Sequence, residues 1–245
     1  MNKNLGWLGG AVAAWGLLAG SAAATTLIND TFSGSSVDSS IWSVGLPFAN
    51  SSVSISGGDA IFKGRGTLVS VNPVIASPGL SLDIRGSFAF TGSVNDSLNI
   101  RLRSDGIVHD VWGNVGGVDV LIAMPRIVFN NYGVGGTWGG VAIDYASPLQ
   151  VNTYYDFRVT DDGQTVKLYI GDLVNPFSTF SSTYTPGDKL AICDRDENGT
   201  FDSVDNAGSQ INLSYVQVNL VPEPGIASLL GVAAGCALLA RRRNR

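Results

Sequence analysis

Apolar and polar side chains alternate strictly along the middle of the chain. Leu98, Ile100 and Leu102 alternate with Asn99, Arg101 and Arg103. Tyr155, Phe157 and Val159 alternate with Asp156, Arg158 and Thr160, and Val166, Leu168 and Ile170 with Lys167 and Tyr169. Ser81 to Arg85 keeps the same period. Successive strand residues point to opposite faces, so each run predicts a strand with one buried face and the other turned to solvent or to a second layer. Further strands are predicted over 26–32, 59–62, 67–71, 118–124, 141–145, 189–193 and 211–220. Asp161-Asp162-Gly163-Gln164 joins two of the runs, and Gly163 can adopt positive φ, which predicts a hairpin. Gly, Ser, Asn and Asp fill the gaps, and no long stretch between residues 25 and 220 has helical periodicity with caps. Many short strands with such turns predict an all-β domain, a two-sheet antiparallel sandwich of jelly-roll type. Trp42 takes a strand-like position and is expected in its core.

The two ends of the chain break this pattern. Asn2 and Lys3 precede an apolar run over 5–18 that ends in Gly20-Ser21-Ala22-Ala23-Ala24. Ala22 and Ala24 fit the small-x-small requirement of signal peptidase, which predicts a signal peptide over 1–24 cut after Ala24. At the other end, Val221-Pro222-Glu223-Pro224-Gly225 leads into an uncharged stretch over 226–240, followed by Arg241, Arg242, Arg243, Asn244 and Arg245. Clustered arginines resist translocation, so a transmembrane helix over 226–240 with a cytoplasmic tail over 241–245 is expected. At 1.5 Å per residue that helix reaches about 22 Å, less than the roughly 30 Å of a bilayer core, and snorkelling arginines can close the gap.

Pro222-Glu223-Pro224, a short apolar helix and a terminal arginine cluster together resemble the PEP-CTERM sorting signal, over residues 221–245. The resemblance implies handling by an exosortase-type membrane enzyme and cleavage near the Pro-Glu-Pro. The protein is therefore expected to be exported and briefly anchored in the inner membrane with its C-terminus cytoplasmic. It would then reach the cell surface or the extracellular matrix. The working domain is residues 25–220.

Charge narrows the partners. The chain carries 15 basic and 20 acidic residues. Without Lys3, the four tail arginines and Glu223, the domain keeps 10 basic and 19 acidic residues, a net charge of about −9. It has no basic patch, which argues against nucleic acid as a partner. Cys193 is alone in the domain and Cys236 lies in the tail, so no disulfide and no paired-thiol zinc site is expected there.

Within the domain, four segments occur in order: Asp30-Thr31-Phe32-Ser33-Gly34, Ile41-Trp42-Ser43, Arg103-Ser104-Asp105-Gly106, and Tyr155-Asp156-Phe157-Arg158-Val159-Thr160-Asp161-Asp162-Gly163. They resemble the concanavalin A-like, laminin G-like jelly rolls. That group includes lectins, glucanases, lyases and adhesion modules, so the resemblance implies a fold and leaves the function open. Glycoside hydrolysis normally needs two carboxyls flanking the bond. The glucanases of this fold use a strand-borne Glu-x-Asp-x-x-Glu pattern, which is absent here. Glu197, in a polar turn, is the domain's one glutamate, and His109 is the one histidine of the chain. The expectation is therefore no enzymatic activity: a non-catalytic surface or matrix module that binds glycan, such as extracellular polysaccharide, or another surface component. The alternatives are a carbohydrate-active enzyme (glycoside hydrolase or lyase) and a purely structural envelope protein.

Two further features carry candidate chemistry. Asp194, Asp196, Asn198, Thr200, Asp202 and Asp205 fall at positions 1, 3, 5, 7, 9 and 12 of a loop with Gly199 at position 6. That spacing aims successive oxygens at one Ca²⁺ and resembles EF-hand and dockerin loops. It departs from them in its strand-like flanks and in the aspartate at position 12, and a solvated acidic turn is the alternative. Trp112 and Trp138 lie in Gly-rich segments, where an exposed indole can stack on a sugar or fold back over the core.

Overall fold

The computed structural model describes residues 23–47, 50–91, 96–107, 116–132, 140–196 and 210–223. Their regular structure is strand throughout, with no helix among the described residues. The strands are β1 (Thr25–Asp30), β2 (Trp42–Gly45), β3 (Ser52–Ser56), β4 (Asp59–Lys63), β5 (Thr67–Ser70), β6 (Leu80–Phe90), β7 (Asp96–Ser104) and β8 (Gly117–Ala123). They continue with β9 (Arg126–Tyr132), β10 (Val141–Asp144), β11 (Tyr155–Asp161), β12 (Thr165–Ile170), β13 (Ser178–Ser181), β14 (Lys189–Asp196) and β15 (Gln210–Pro222). Neighbours form an eight-stranded sheet in the order β13-β12-β11-β6-β15-β4-β3, with β1 also on β15, and a seven-stranded sheet in the order β10-β9-β8-β7-β14-β5-β2. The expected all-β, two-sheet antiparallel sandwich is thus what the chain forms.

Alternation explains the core between the sheets. Leu98, Ile100 and Leu102 of β7 face Phe157 and Val159 of β11 and Val166 and Leu168 of β12 within one buried apolar cluster. Phe88 and Phe90 meet edge to face at 5.2 Å between ring centroids, and buried aromatic area of this kind dominates core energetics. Gly86 makes room for the ring of Phe157, which lies 2.5 Å from where a Cβ would stand. Trp42 is buried as expected, and its indole N–H donates to Asp30 Oδ2 at 2.9 Å. The expected hairpin joins β11 to β12, with Gly163 at φ +88.

The outer faces of the two sheets differ. On the eight-stranded sheet β11 keeps its outward residues Asp156, Arg158 and Thr160 at least partly exposed. On the seven-stranded sheet β8 and β5 are buried at every position. The outward polar residues of β7 are therefore enclosed, not solvated: Asn99 and Arg101 are both buried.

The expected signal peptide lies outside the described residues over 1–22, as does the expected tail helix over 226–240. No helix among the described residues is long and apolar enough to cross a membrane.

Candidate functional site

The enclosed polar face is built around β8. Asp119 interrupts an otherwise apolar strand, Gly117–Ala123. Pairing places Asp119 beside Arg101 of β7 on one side and Asn130 of β9 on the other. The next row runs from Leu121 to Asn99 and on to Cys193 of β14, and Arg195 of β14 pairs with Ser97. All of these side chains share the outer face, because directly opposed residues of antiparallel strands point the same way.

The charged groups converge. Arg101 donates from Nε to Asp119 Oδ1 at 2.6 Å and from Nη2 to Oδ2 at 3.2 Å. Arg195 Nη1 adds a third bond to Oδ2 at 3.3 Å. Both guanidinium carbons stand 5.2 Å from the centroid of the Tyr132 ring, a cation–π distance. Gly117 leaves the space used by the Arg101 stem, whose Cγ lies 2.3 Å from the position of an added Cβ. Burial opposes the Arg101 charge, but Asp119 more than offsets it and raises the pKa. Burial also pushes the Cys193 thiol up to about 11, so it stays a neutral thiol and an unreactive nucleophile.

Two amides in this face carry buried atoms with no hydrogen-bond partner among the described residues. Asn99 is buried with neither Nδ2 nor Oδ1 hydrogen-bonded, and Asn130 Oδ1 is likewise buried without a partner among the described residues. A buried polar group left unpaired costs about 1–3 kcal/mol, and native structures leave few. Orphaned amides flanking a buried ion cluster therefore mark a place prepared for a polar ligand or water.

The residues singled out in the sequence fall elsewhere. Asp194 is a fully buried residue of β14 paired with Leu98 on the core-facing register, and Asp196 ends that strand opposite Asp96. The first part of the expected calcium loop is thus extended strand. Asn198, Thr200, Asp202 and Asp205 lie outside the described residues, as do Glu197, His109, Trp112 and Trp138. Pro222 closes β15 and Glu223 follows it, while Ala24 immediately precedes β1. Ala22, Pro224, Arg241, Arg242 and Arg243 lie outside the described residues. Asn99, Asn130 and Tyr132 went unremarked as site residues. The available signal was a lone aspartate inside an apolar strand.

The architecture is that of the concanavalin A-like jelly rolls, the class to which the glucanase fold belongs. No protein family and no curated protein matches the chain, but solved structures do. The endo-β-1,3-glucanase from Pyrococcus furiosus superposes with a TM-score of 0.58 at 14% identity, covering 82% of this chain and 96% of that one. The endo-1,3-β-glucanase from Streptomyces sioyaensis gives 0.59 at 13% identity, with 82% and 97% covered. Rv0315 of Mycobacterium tuberculosis, described as an immunostimulatory antigen and pseudo β-1,3-glucanase, gives 0.53 at 13%, with 81% and 99% covered. At such identities the likeness establishes the fold.

The comparison corrects the expectation of a non-catalytic module without enzymatic activity. The structures that share the fold include endo-glucanases from several sources. A missing Glu-x-Asp-x-x-Glu string is a weak exclusion, because carboxyl roles follow from geometry and not from spacing along one strand. The outward residues of β8 are Gly117, Asp119, Leu121 and Ala123, so the strand does present one central carboxylate. Its surroundings appear only when β7, β8, β9 and β14 are paired.

Proposed function

We propose that the domain is a carbohydrate-active enzyme of the glycoside hydrolase class, acting on a β-linked glucan at the outer face of the seven-stranded sheet. The observation that carries this reading is the unpartnered amide of Asn99 and the unpartnered Oδ1 of Asn130, among the described residues, near Asp119. An amide offers two donors and an acceptor, the set that adjacent sugar hydroxyls satisfy. Asp119 accepts from guanidinium N–H groups on both oxygens, which suits the negative role in glycoside cleavage, nucleophile or stabiliser of oxocarbenium-like charge. β8 supplies no second carboxyl, so proton donation to the leaving oxygen falls to a group on another element.

The test is reducing-end release from soluble β-1,3-glucan and mixed-linkage β-glucan by the purified protein. Product from the wild type and its loss in Asp119→Asn, with an intact melting transition, is the expected result. No product from either glucan, or release indifferent to Asp119→Asn, overturns the reading.

We also propose export and sorting. The support is sequence alone: the Ala22-x-Ala24 site, Pro222-Glu223-Pro224 and the arginines at 241–243. Signal peptidase and an exosortase-type enzyme are the partners this implies. Mass spectrometry of surface-exposed protein should find both 1–24 and 226–245 removed, and an intact C-terminus there would leave a simple anchor instead. A Ca²⁺ site using Asp194, Asp196, Asn198, Thr200, Asp202 and Asp205 is likewise proposed on spacing.

A further inference from the structure

The opposite outer face, on the eight-stranded sheet, carries an unrelated cluster. Tyr154 precedes β11 and is 49% exposed, the most of any tyrosine among the exposed large side chains. An exposed aromatic ring is ordinarily free to rotate, but this one is tethered, because its hydroxyl donates to Asp59 Oδ2 at the start of β4. The same oxygen accepts from Asn212 Nδ2 of β15 at 3.2 Å. Asn212 Oδ1 in turn accepts from Gln210 Nε2 at 3.2 Å and from Thr91 Oγ1 at 3.3 Å, just past β6. Three other segments of the chain thus hold one ring in place. Asp59 Oδ1 takes no part in these bonds.

We propose that Tyr154, Asp59 and Asn212 form a second glycan-contact site, which holds a neutral polysaccharide chain on the face of the sandwich away from Asp119. The chemistry selects that ligand. A fixed, half-exposed ring offers an apolar face to the C–H side of a sugar, and Asp59 Oδ1, which accepts no bond among the described residues, can accept from a sugar hydroxyl as a charge-assisted bond. No arginine enters the network, so an anionic chain finds no bidentate partner there. Pre-tethering also removes rotamer freedom that binding would otherwise have to freeze. The site holds polymer and breaks no bond. The choice of glucan as its ligand rests on the function proposed above, whereas the location rests on the cluster alone.

Affinity electrophoresis of the full chain through gels containing soluble β-1,3-glucan tests this, with Asp119→Asn as the background from which turnover is removed. Asp119→Asn should still be retarded, through the Tyr154 face. Tyr154→Ala should bind about tenfold more weakly, as expected for loss of one aromatic contact near 1.4 kcal/mol. Tyr154→Phe, which keeps the ring and loses the tether, should fall between. Both Tyr154 variants should melt close to the wild type, because the side chain is exposed. If Tyr154→Ala migrates like the wild type, or if the wild type is not retarded, the site does not exist. Retardation lost in Asp119→Asn but kept in Tyr154→Ala would place all binding on the other sheet and also overturn it. Loss of hydrolysis with retardation intact would reject the proposed enzymatic activity and leave this inference standing.

Discussion

Arg103 of the seven-stranded sheet and Asp161 of the eight-stranded sheet form a buried two-pronged ion pair that ties the sheets together. Arg103 Nε meets Asp161 Oδ2 at 3.0 Å and Nη2 meets Oδ1 at 2.5 Å, with both side chains buried. Arg103 Nη1 also donates to the carbonyls of Ser182 and Tyr184 at 2.8 and 3.1 Å. The residue has φ 51, a left-handed conformation that is costly away from glycine and persists only where surroundings enforce it. Asp161 Oδ1 also accepts from the Gly163 N–H at 2.8 Å and so fixes the β11–β12 turn.

Removing one partner of such a pair strands the other charge. Asp161→Ala is expected to cost about 3–5 kcal/mol, which for a domain of this size lowers Tm by roughly 10 °C. Asp156→Ala, on the same strand but exposed, should stay within about 0.5 kcal/mol of the wild type. Thermal melts of the two variants decide this, and equal melting temperatures would refute it.

Asp83 predicts an acid limb to stability. Burial works to raise its pKa, but bidentate bonds from Arg85 (3.1 and 2.9 Å) and Arg158 (3.0 and 3.0 Å) outweigh burial and hold it below the ordinary value. A depressed folded-state pKa contributes stability above the unfolded value, about 3.9, and loses it as pH falls through the folded value. The Tm gap between wild type and Asp83→Asn should therefore be constant near neutrality and close below about pH 4. Because Arg85 is 41% exposed at its side chain, added salt should narrow the gap as well.

Asn99 should trade stability against function. Asn99→Leu keeps the volume and deletes two unsatisfied buried atoms, so chemical denaturation should show a gain of about 1–2 kcal/mol. Glucan hydrolysis should fall in the same variant. A destabilised Asn99→Leu would mean that the amide already has its partners in the folded protein.

Calcium is tested by its own linkage. A ligand at a hundredfold excess over its dissociation constant stabilises by about 2.7 kcal/mol, or roughly 5–10 °C here. Mg²⁺ should do far less because it gives up water reluctantly. Asp194 is buried in β14, so Asp194→Ala lowers Tm by itself. The readout is therefore the Ca²⁺-dependent increment, which should vanish in Asp194→Ala and Asp196→Ala and persist in Asp156→Ala. Identical curves in Ca²⁺ and chelator would reduce the segment to an acidic turn.

Alternation made β7, β11, β12 and their hairpin legible from residues alone, because each buries a run of branched or aromatic side chains on one face. β9 was not, since Asn130 and Asn131 break its apolar run and Asn130 is nonetheless buried. β3 and β13 are five and four residues long and about half serine, which leaves too few apolar positions for a period to register. The candidate site was hidden for a different reason. Asp119 takes its bonds from residues 18 and 76 positions away, and only strand register brings them to one spot. A period of two also tells which residues share a face without telling that both faces of a sheet are covered, so Arg101 reads as a solvated residue until β8 lies beside it.

β15 has a mechanical consequence. This 13-residue strand has β6 on one side and, end to end along its other edge, β4 at 210–213 and β1 at 216–220. Ladder bonds run across the strands, so a pull along β15 from Pro222 loads its ladders together in shear instead of peeling them one by one. Thr25 pairs with Leu220, which puts the start of the first strand beside the point of load. A molecule held by its C-terminal end would resist drag with three neighbouring strands at once, whereas a pull that separates Thr25 from Leu220 would unzip β1 alone.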